Sequence, residues 1–479
     1  MGGSRKHGWF VVGAVLAAAV AGIAIVAVAF FSRDEPERHA DILEHFKYGS
    51  IGSEDRAGVP YSLWLALPSV FPEHLPEGGG QGYERLGFLY EPGRRRPIGT
   101  SYREAPVGQV GLNCAACHTA TVRASPSASP RIVAGMPANQ FHLQAYINFL
   151  RACARDERFT PEVLIPAIRK ADPDFSRGDE VLYRTFVIPR TREALRRIDD
   201  DFAWMDRRPP QGPGRVDTFN PYKTLFRIAD PGERTVGTVD LPSLWNQRVR
   251  EGMSLHWDGN NDKVEERNIS AAIGAGASES SLDEPSMARL AEWIKDFGPP
   301  PYPRTRIDQR RAARGAVAYR EQCSACHALD GERVGQVTPI EQVGTDRERL
   351  DSFTPELARN MNTLGRGRPW AFRHFVKTKG YANSPLDGLW LRAPYLHNGS
   401  VPDLRSLLSP TAERPRVFYR DYDVYDWARV GFVTRGPDAE RRGFRYDTEV
   451  RGNGNGGHLY GTQLSPEDKE DLIEYLKGL

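Results

Sequence analysis

The sequence predicts a mainly helical chain with long irregular loops, divided into two units of unequal length behind an apolar N-terminal helix. Three observations carry this. The run Cys-x-x-Cys-His occurs twice, at 114–118 and 323–327, with the two copies 209 residues apart from start to start and therefore one copy per unit. Apolar residues recur at intervals of three and four between helix start and stop signals, most clearly over 138–153, 285–297, 307–321 and 465–476. Residues 9–31 contain no charged side chain and would span about 34 Å as a helix, enough to cross a bilayer.

The repeated run has a specific chemistry. Two residues between the thiols let one short helical turn reach both vinyl groups of one porphyrin, and the adjacent histidine then lies under its iron. A structural zinc site or a redox disulfide also uses Cys-x-x-Cys, but neither needs a histidine immediately after it. The expected cofactors are therefore two covalently bound haem c groups, held by Cys114, Cys117, Cys323 and Cys326, with His118 and His327 each ligating an iron. Of the five cysteines this leaves Cys153, which reads as a buried small hydrophobe.

Composition narrows the rest. Hydrophobic residues make up 40% of the chain and charged residues 26%, the pattern of a globular protein with real cores. Lys plus Arg (64) nearly balances Asp plus Glu (62), which argues against nucleic acid as a partner and confines any charged docking surface to a local patch. Arg5 and Lys6 precede the apolar run, so the positive-inside rule keeps the N-terminus in the cytoplasm and sends the remainder across, where c-type haem is attached in bacteria. A cleaved signal peptide is the rival, since Ala27-Val28-Ala29 fits a small-x-small site, but its apolar core would exceed the usual ~7–15 residues. The expected organisation is a cytoplasmic end (1–8), a transmembrane anchor or uncleaved signal (9–31), an N-terminal haem domain (32–298) and a C-terminal haem domain (306–479). The expected location is periplasmic, anchored in the inner membrane.

Taken in order, a charged tether leads to a short helix at 41–48 with Ile42, Leu43 and Phe46 inward. From 58 to 96, glycine, proline and aromatic residues break any long period, which predicts irregular chain pinned by buried rings such as Trp64. The stretch 97–113 carries no helical stripe. Phe141, Ala145, Phe149 and Leu150 give one face over 138–153, Thr160-Pro161-Glu162 starts a second helix, and a third runs near 180–204. Residues 208–222 form a Pro/Gly-rich loop whose Arg215 is either a cation for a haem propionate or a solvated side chain. Pro285 lies in the first turn of a helix that Gly298 and three prolines end, and the domain boundary falls there. Helices at 307–321, from Thr354-Pro355-Glu356, at 368–377 and from Ser465-Pro466-Glu467-Asp468 follow. No internal repeat is visible beyond the haem motif.

In the second unit Gly315, Tyr319 and Cys323 recur every four residues on the first helix, while the last packs Leu472, Ile473 and Leu476. This resembles the cytochrome c fold, in which a glycine on the first helix lets an aromatic of the last approach closely, here Tyr475. The fold class is then two cytochrome c-like haem domains, the first strongly elaborated. For the second iron's opposite axial position His397 is the expected ligand, because Pro394 and Asn398-Gly399 make its surroundings a rigid turn. Met361, His374 and His458 are the other candidates, together with no ligand at all.

Trp257-Asp258-Gly259, Ala393-Pro394-Tyr395-Leu396-His397 and the two haem motifs resemble the bacterial di-haem cytochrome c peroxidases and their tryptophylquinone-forming relatives. A closer resemblance, over nearly all of the exported chain, is to the rubber-oxygenase-like di-haem cytochromes. It rests on Phe46-Lys47-Tyr48-Gly49, on 113–119, on His256-Trp257-Asp258-Gly259-Asn260-Asn261 with Glu265-Glu266-Arg267-Asn268, and on 394–400. The resemblance implies an open N-terminal haem, a bis-histidine C-terminal haem, and Trp257 as the catalytic bridge that carries electrons between them. The chain departs from the peroxidases at Asn260, where they carry arginine, and at 271–277, a run of small and apolar residues without their carboxylate. That run would form a lid over the first haem.

The expected function is a periplasmic di-haem redox enzyme, oxygenase- or peroxidase-like, whose partners are a small oxidant (dioxygen or peroxide), a reductant or organic substrate, and a small redox protein. The alternative is a membrane-anchored electron-transfer cytochrome without catalysis of its own.

Overall fold

The computed structural model describes residues 34–228 and 235–479. The membrane helix expected at 9–31 lies outside them, and among the described residues no helix is long and apolar enough to cross a membrane. The expectation of a mainly helical chain is corrected as well. Among the described residues the fold mixes helix and sheet and is 42% helical, with short strands placed next to both haem motifs.

These strands occupy stretches that show no helical stripe. β1 (Glu35–Pro36), β2 (Val59–Pro60), β3 (Thr100–Glu104) and β4 (Gln109–Leu112) make an antiparallel sheet in the order β1-β3-β4-β2. β3 and β4 are joined through Ala105-Pro106-Val107-Gly108 and registered with Ser101 opposite Gly111. Two further hairpins follow, β5 (Thr119–Val122) with β6 (Arg131–Ala134), and β7 (Arg215–Asp217) with β8 (Thr238–Asp240). β9 (Val337–Pro339) pairs with β10 (Gly380–Ala382) in the second half. Strands of two to five residues are too short for alternation to show in sequence, and their pairing is decided by contacts distant along the chain.

The helices follow their local signals more closely. In α1 (Ile42–Tyr48) Asp41 caps the amide of Glu44 at 2.8 Å, Phe46 is buried, and Leu43 points outward. An exception is α2 (Tyr61–Val70), a helix in the stretch 58–96 expected to be irregular; it carries Trp64, wholly buried as expected, stacked on Tyr83 at 4.0 Å and donating to the Tyr146 hydroxyl at 3.1 Å. α3 (Cys114–Cys117) is the first haem turn; α4 (Leu143–Arg155) starts later than expected, with Phe141 just ahead of it. α5 (Pro161–Ala171) begins at the anticipated Thr160 cap position, whereas the stretch near 180–204 is interrupted by a π turn over Tyr183–Val187. Cys153 is buried in the core that these helices share with Trp64.

α6 (Val264–Gly274) and α7 (Glu284–Asp296) lead to the second haem unit, which opens with α8 (Gln309–Gln322), continues with the turn α9 (Ser324–His327) and closes with α10 (Pro466–Leu476), capped by Ser465. A Cβ on Gly315 of α8 would lie 1.9 Å from the Asp471 carbonyl oxygen, so only glycine allows α8 and α10 to cross this closely. It is backbone that occupies the space left by Gly315; Tyr475 packs instead on Tyr319, with ring centroids 4.9 Å apart. The stretch 368–377 expected as a helix is extended and irregular.

The two halves share one core. Ala120, Val122 and Val133 of the β5–β6 hairpin pack with Leu391, Tyr395 and Leu472. Arg123 exchanges backbone hydrogen bonds with Asp423 and Tyr425 at 2.8 and 2.9 Å. The hairpin that follows the first haem motif is therefore built into the C-terminal half.

Candidate functional site: two haem motifs joined through Trp257

Asn113 sets up the first motif from just outside it. Its side-chain oxygen caps the Ala115 amide at 3.0 Å and its amide donates to the Gly49 carbonyl at 3.0 Å, tying α3 to the segment after α1. His118 Nδ1 lies 2.8 Å from the Pro242 carbonyl oxygen. A carbonyl only accepts, so Nδ1 carries the proton and the Nε2 lone pair is left for a metal. Desolvation lowers the His118 pKa to about 4, against the Pro242 hydrogen bond and aided by Arg267, which keeps the ring neutral. Burial raises the thiols of Cys114 and Cys117 to about 11 and about 12.

The second motif repeats the arrangement. His327 Nδ1 lies 2.7 Å from the Ser384 carbonyl oxygen, desolvation lowers its pKa, and burial raises Cys323 to about 11. In each motif two thiols stand one helical turn apart and a neutral imidazole is fixed through Nδ1. This donor set fits haem c, with its two thioethers and one axial nitrogen.

A second repeat, invisible in sequence, lies beside the motifs. Leu255 pairs with Asn261 and Tyr395 with Val401, closing two seven-residue loops of the same shape. Positive φ falls on the second and fifth residues of each: His256 (62°) and Gly259 (64°), Leu396 (68°) and Gly399 (65°). The third position holds the ring, Trp257 in one loop and His397 in the other.

Asp240 at the end of β8 binds both loops. Its carbonyl accepts from the Trp257 indole Nε1 at 2.9 Å, and its amide donates to the His397 carbonyl at 2.8 Å. Its carboxylate pairs with Arg420, both side chains being buried. Trp257 is half-buried against Ile340, Leu350 and Tyr381, and its own carbonyl accepts from the Ala382 amide at 2.8 Å. Because Pro242 is two residues beyond Asp240 and Ser384 two beyond Ala382, a short path of backbone and hydrogen bonds runs from His118 through Trp257 to His327.

His397, expected as an iron ligand, is engaged elsewhere. Its ring stacks on Tyr381 at 4.1 Å and its Nε2 lies 3.1 Å from the Tyr381 hydroxyl oxygen. The Tyr381 proton goes to the Asp346 carbonyl at 2.7 Å, so the phenol accepts from His397 Nε2–H and only Nδ1 keeps a lone pair; the ring itself lies against Tyr381, not against His327. The imidazole beside His327 belongs to His458, with ring centroids 6.2 Å apart. An iron about 2 Å from a nitrogen of each ring would hold the centroids roughly 6 Å apart. The Nδ1 of His458 is buried without a hydrogen-bond partner, and desolvation followed by the His327 charge lowers its pKa to about 4. Sequence offered only the glycine-rich run before His458 as a hint; the pairing joins residues 131 apart in the chain.

Other candidates settle as follows. The Asp258 carboxylate is taken by Arg349 and Asn260, each at 3.0 Å, so it steadies the Trp257 loop and does not receive the indole proton. Glu266 is buried and accepts from Asn261 and from the backbone of Arg373 and His374. Arg215 is buried, not solvated: it lies 4.9 Å over the Tyr446 ring and its Nε has no hydrogen-bond partner. Ala272 and Ala277 pack in one apolar cluster with Cys114, Ala115 and Ile51, so the end of α6 lies against the first haem motif.

Two relatives in Sinorhizobium fredii (strain NBRC 101917 / NGR234) are similar to this chain. Uncharacterized protein y4iM is 30% identical over 287 residues, covering 50% of this chain and 64% of the relative. Uncharacterized protein y4iJ is 26% identical over 501 residues, covering 83% and 81%. The chain thus spans less than two thirds of the first relative's length. Residues 380–419, which hold Ser384, Tyr381 and the His397 loop, match the family described as RoxA-like, cytochrome c-like, and this cytochrome c-like segment beside the two donor sets supports a haem c redox protein.

Proposed function

We propose that this chain is a periplasmic di-haem c-type cytochrome acting as a redox enzyme, with an open haem on His118 and a bis-histidine haem on His327 and His458. The observation that carries the reading is an asymmetry. His327 has an imidazole counterpart at 6.2 Å, whereas among the described residues no such ring contact is made by His118, and Ala272 of α6 packs with Cys114 and Ala115 of its motif. One iron is thereby saturated for electron storage, and the other keeps a position for a small oxidant. Haem supplies the redox chemistry when bound; the residues of the chain fix its axial nitrogens, exclude water and connect the two sites through Trp257.

Dioxygen suits the first site better than peroxide. Acid–base cleavage of peroxide needs a group free to move a proton; the run 271–277 carries no carboxylate, and Glu266 is committed to Asn261 and two backbone amides. The reductant or organic substrate, and a small redox protein at the second haem, complete the proposed set of partners.

The test is carbon monoxide uptake by the reduced protein, made in a host that matures c-type cytochromes. Two haems by intact mass and one carbon monoxide per chain are expected. Two haems with no uptake would make the chain an electron carrier, and apoprotein mass would end the haem reading.

A further inference from the structure

Resting on the His458 reading above, we infer that Arg414 is a positioning residue that holds the His458 loop in reach of the second iron. Arg414 is buried at 5% exposure and directs its guanidinium at five backbone carbonyls: Ser409 (3.1 Å), Leu407 (3.2 Å), Asn455 (2.6 Å), Gly457 (2.8 Å) and His458 itself (3.4 Å). Three of the five belong to the four residues that end on the ligand.

The loop needs such a clamp. Gly452, Gly454, Gly456 and Gly457 precede His458, and a run of glycine has little stiffness of its own. Its other side is held by 343–346, where the His458 amide donates to Val343 at 2.7 Å and the Gly454 amide to the Asp346 carboxylate at 3.1 Å. The fit there is tight: a Cβ on Gly457 would lie 2.3 Å from the Gly344 carbonyl carbon. His458 itself has a φ of 49°, a conformation that a free histidine seldom adopts. The loop is therefore strapped between two walls, and Arg414 is the wall made of a single side chain. A planar fork of five N–H donors on three nitrogens can reach all five carbonyls, while a lysine ammonium has three donors on one nitrogen and cannot.

The experiment compares Arg414→Gln, Arg414→Lys and His458→Gly as full-length, haem-loaded proteins. His458→Gly should lose the low-spin signal of one haem, and added imidazole should restore it. Arg414→Gln should show the same high-spin signal in part, bind close to two carbon monoxide molecules per chain instead of one, and recover its low-spin signal with imidazole. Arg414→Lys should fall between it and the parent. An unchanged low-spin signal and carbon monoxide stoichiometry in Arg414→Gln, with His458→Gly changed, would overturn the role of Arg414 alone. A low-spin signal surviving in His458→Gly would overturn the ligand reading beneath it. If Arg414→Gln yields no soluble protein, Arg414→Lys carries the test with the same outcomes.

Discussion

The indole nitrogen of Trp257 donates to the backbone carbonyl of Asp240 at 2.9 Å, and two residues further on the chain presents the carbonyl that holds His118. The residue nominated from its Trp-Asp-Gly turn as an electron bridge is thus tied to the proximal side of the first haem site. Its backbone, through Ala382, is tied to the segment that holds His327. Under the two-haem reading proposed above this geometry suits a relay, since one ring on the path from His118 to His327 would replace a long electron jump by two short ones.

Trp257→Phe should leave both haem spectra intact and slow the oxidation of the second haem by oxidant added at the first. The lost indole donor leaves the Asp240 carbonyl unpaired, which should lower stability by about 1–2 kcal/mol. Stopped-flow spectra of the two haems measure the first effect and urea titration the second. Equal transfer rates in both proteins would return Trp257 to a packing role.

His397→Ala should keep a fully low-spin second haem, in contrast to His458→Gly. Its cost falls on stability instead, roughly 2 kcal/mol from the lost Tyr381 stack and hydrogen bond. Electron paramagnetic resonance of the two variants separates the assignments, and a high-spin signal appearing in His397→Ala would contradict the placement described above.

Gly315→Ala should destabilise the C-terminal unit by about 1–3 kcal/mol, the usual range for overpacking, because its methyl would meet the Asp471 carbonyl. The shift is read as a lower melting temperature. A melting temperature equal to the parent's would mean that α8 and α10 can separate without cost.

Asp199 provides a pH test away from the haems. Hydrogen bonds from Arg155, and from Arg151 beyond the cost of burial, hold its pKa below the ordinary carboxylate value. A depressed folded pKa means that the stabilisation is complete above the unfolded value of about 4 and is lost as pH falls through the folded one. Asp199→Asn should therefore be less stable than the parent at pH 7, and the gap should narrow as the pH is lowered below about 4. A gap of constant size across that range, measured by urea titration, would show that Asp199 does not carry this acid sensitivity.

The sequence by itself determined the elements whose signals are local. Cys-x-x-Cys-His is complete within five residues, so both motifs and their donor sets were legible; so were the caps at Asp41 and Ser465 and the glycine of α8. Tertiary structure decided whatever depends on residues far apart in the chain. Strands of two to five residues are too short to show a period, so a mixed fold reads as a mainly helical one. The likeness of the loops at 255–261 and 395–401 lies chiefly in backbone angles; in residues they share only an Asx-Gly pair, 258–259 and 398–399, too common a turn signal to mark a repeat. His397 and His458 both stand in turns rich in small residues, and nothing local tells them apart. Only folding stacks one of them on Tyr381, whose phenol accepts its N–H, and sets the other 6.2 Å from His327, because an imidazole's capacity to bind a metal depends on what surrounds its free nitrogen.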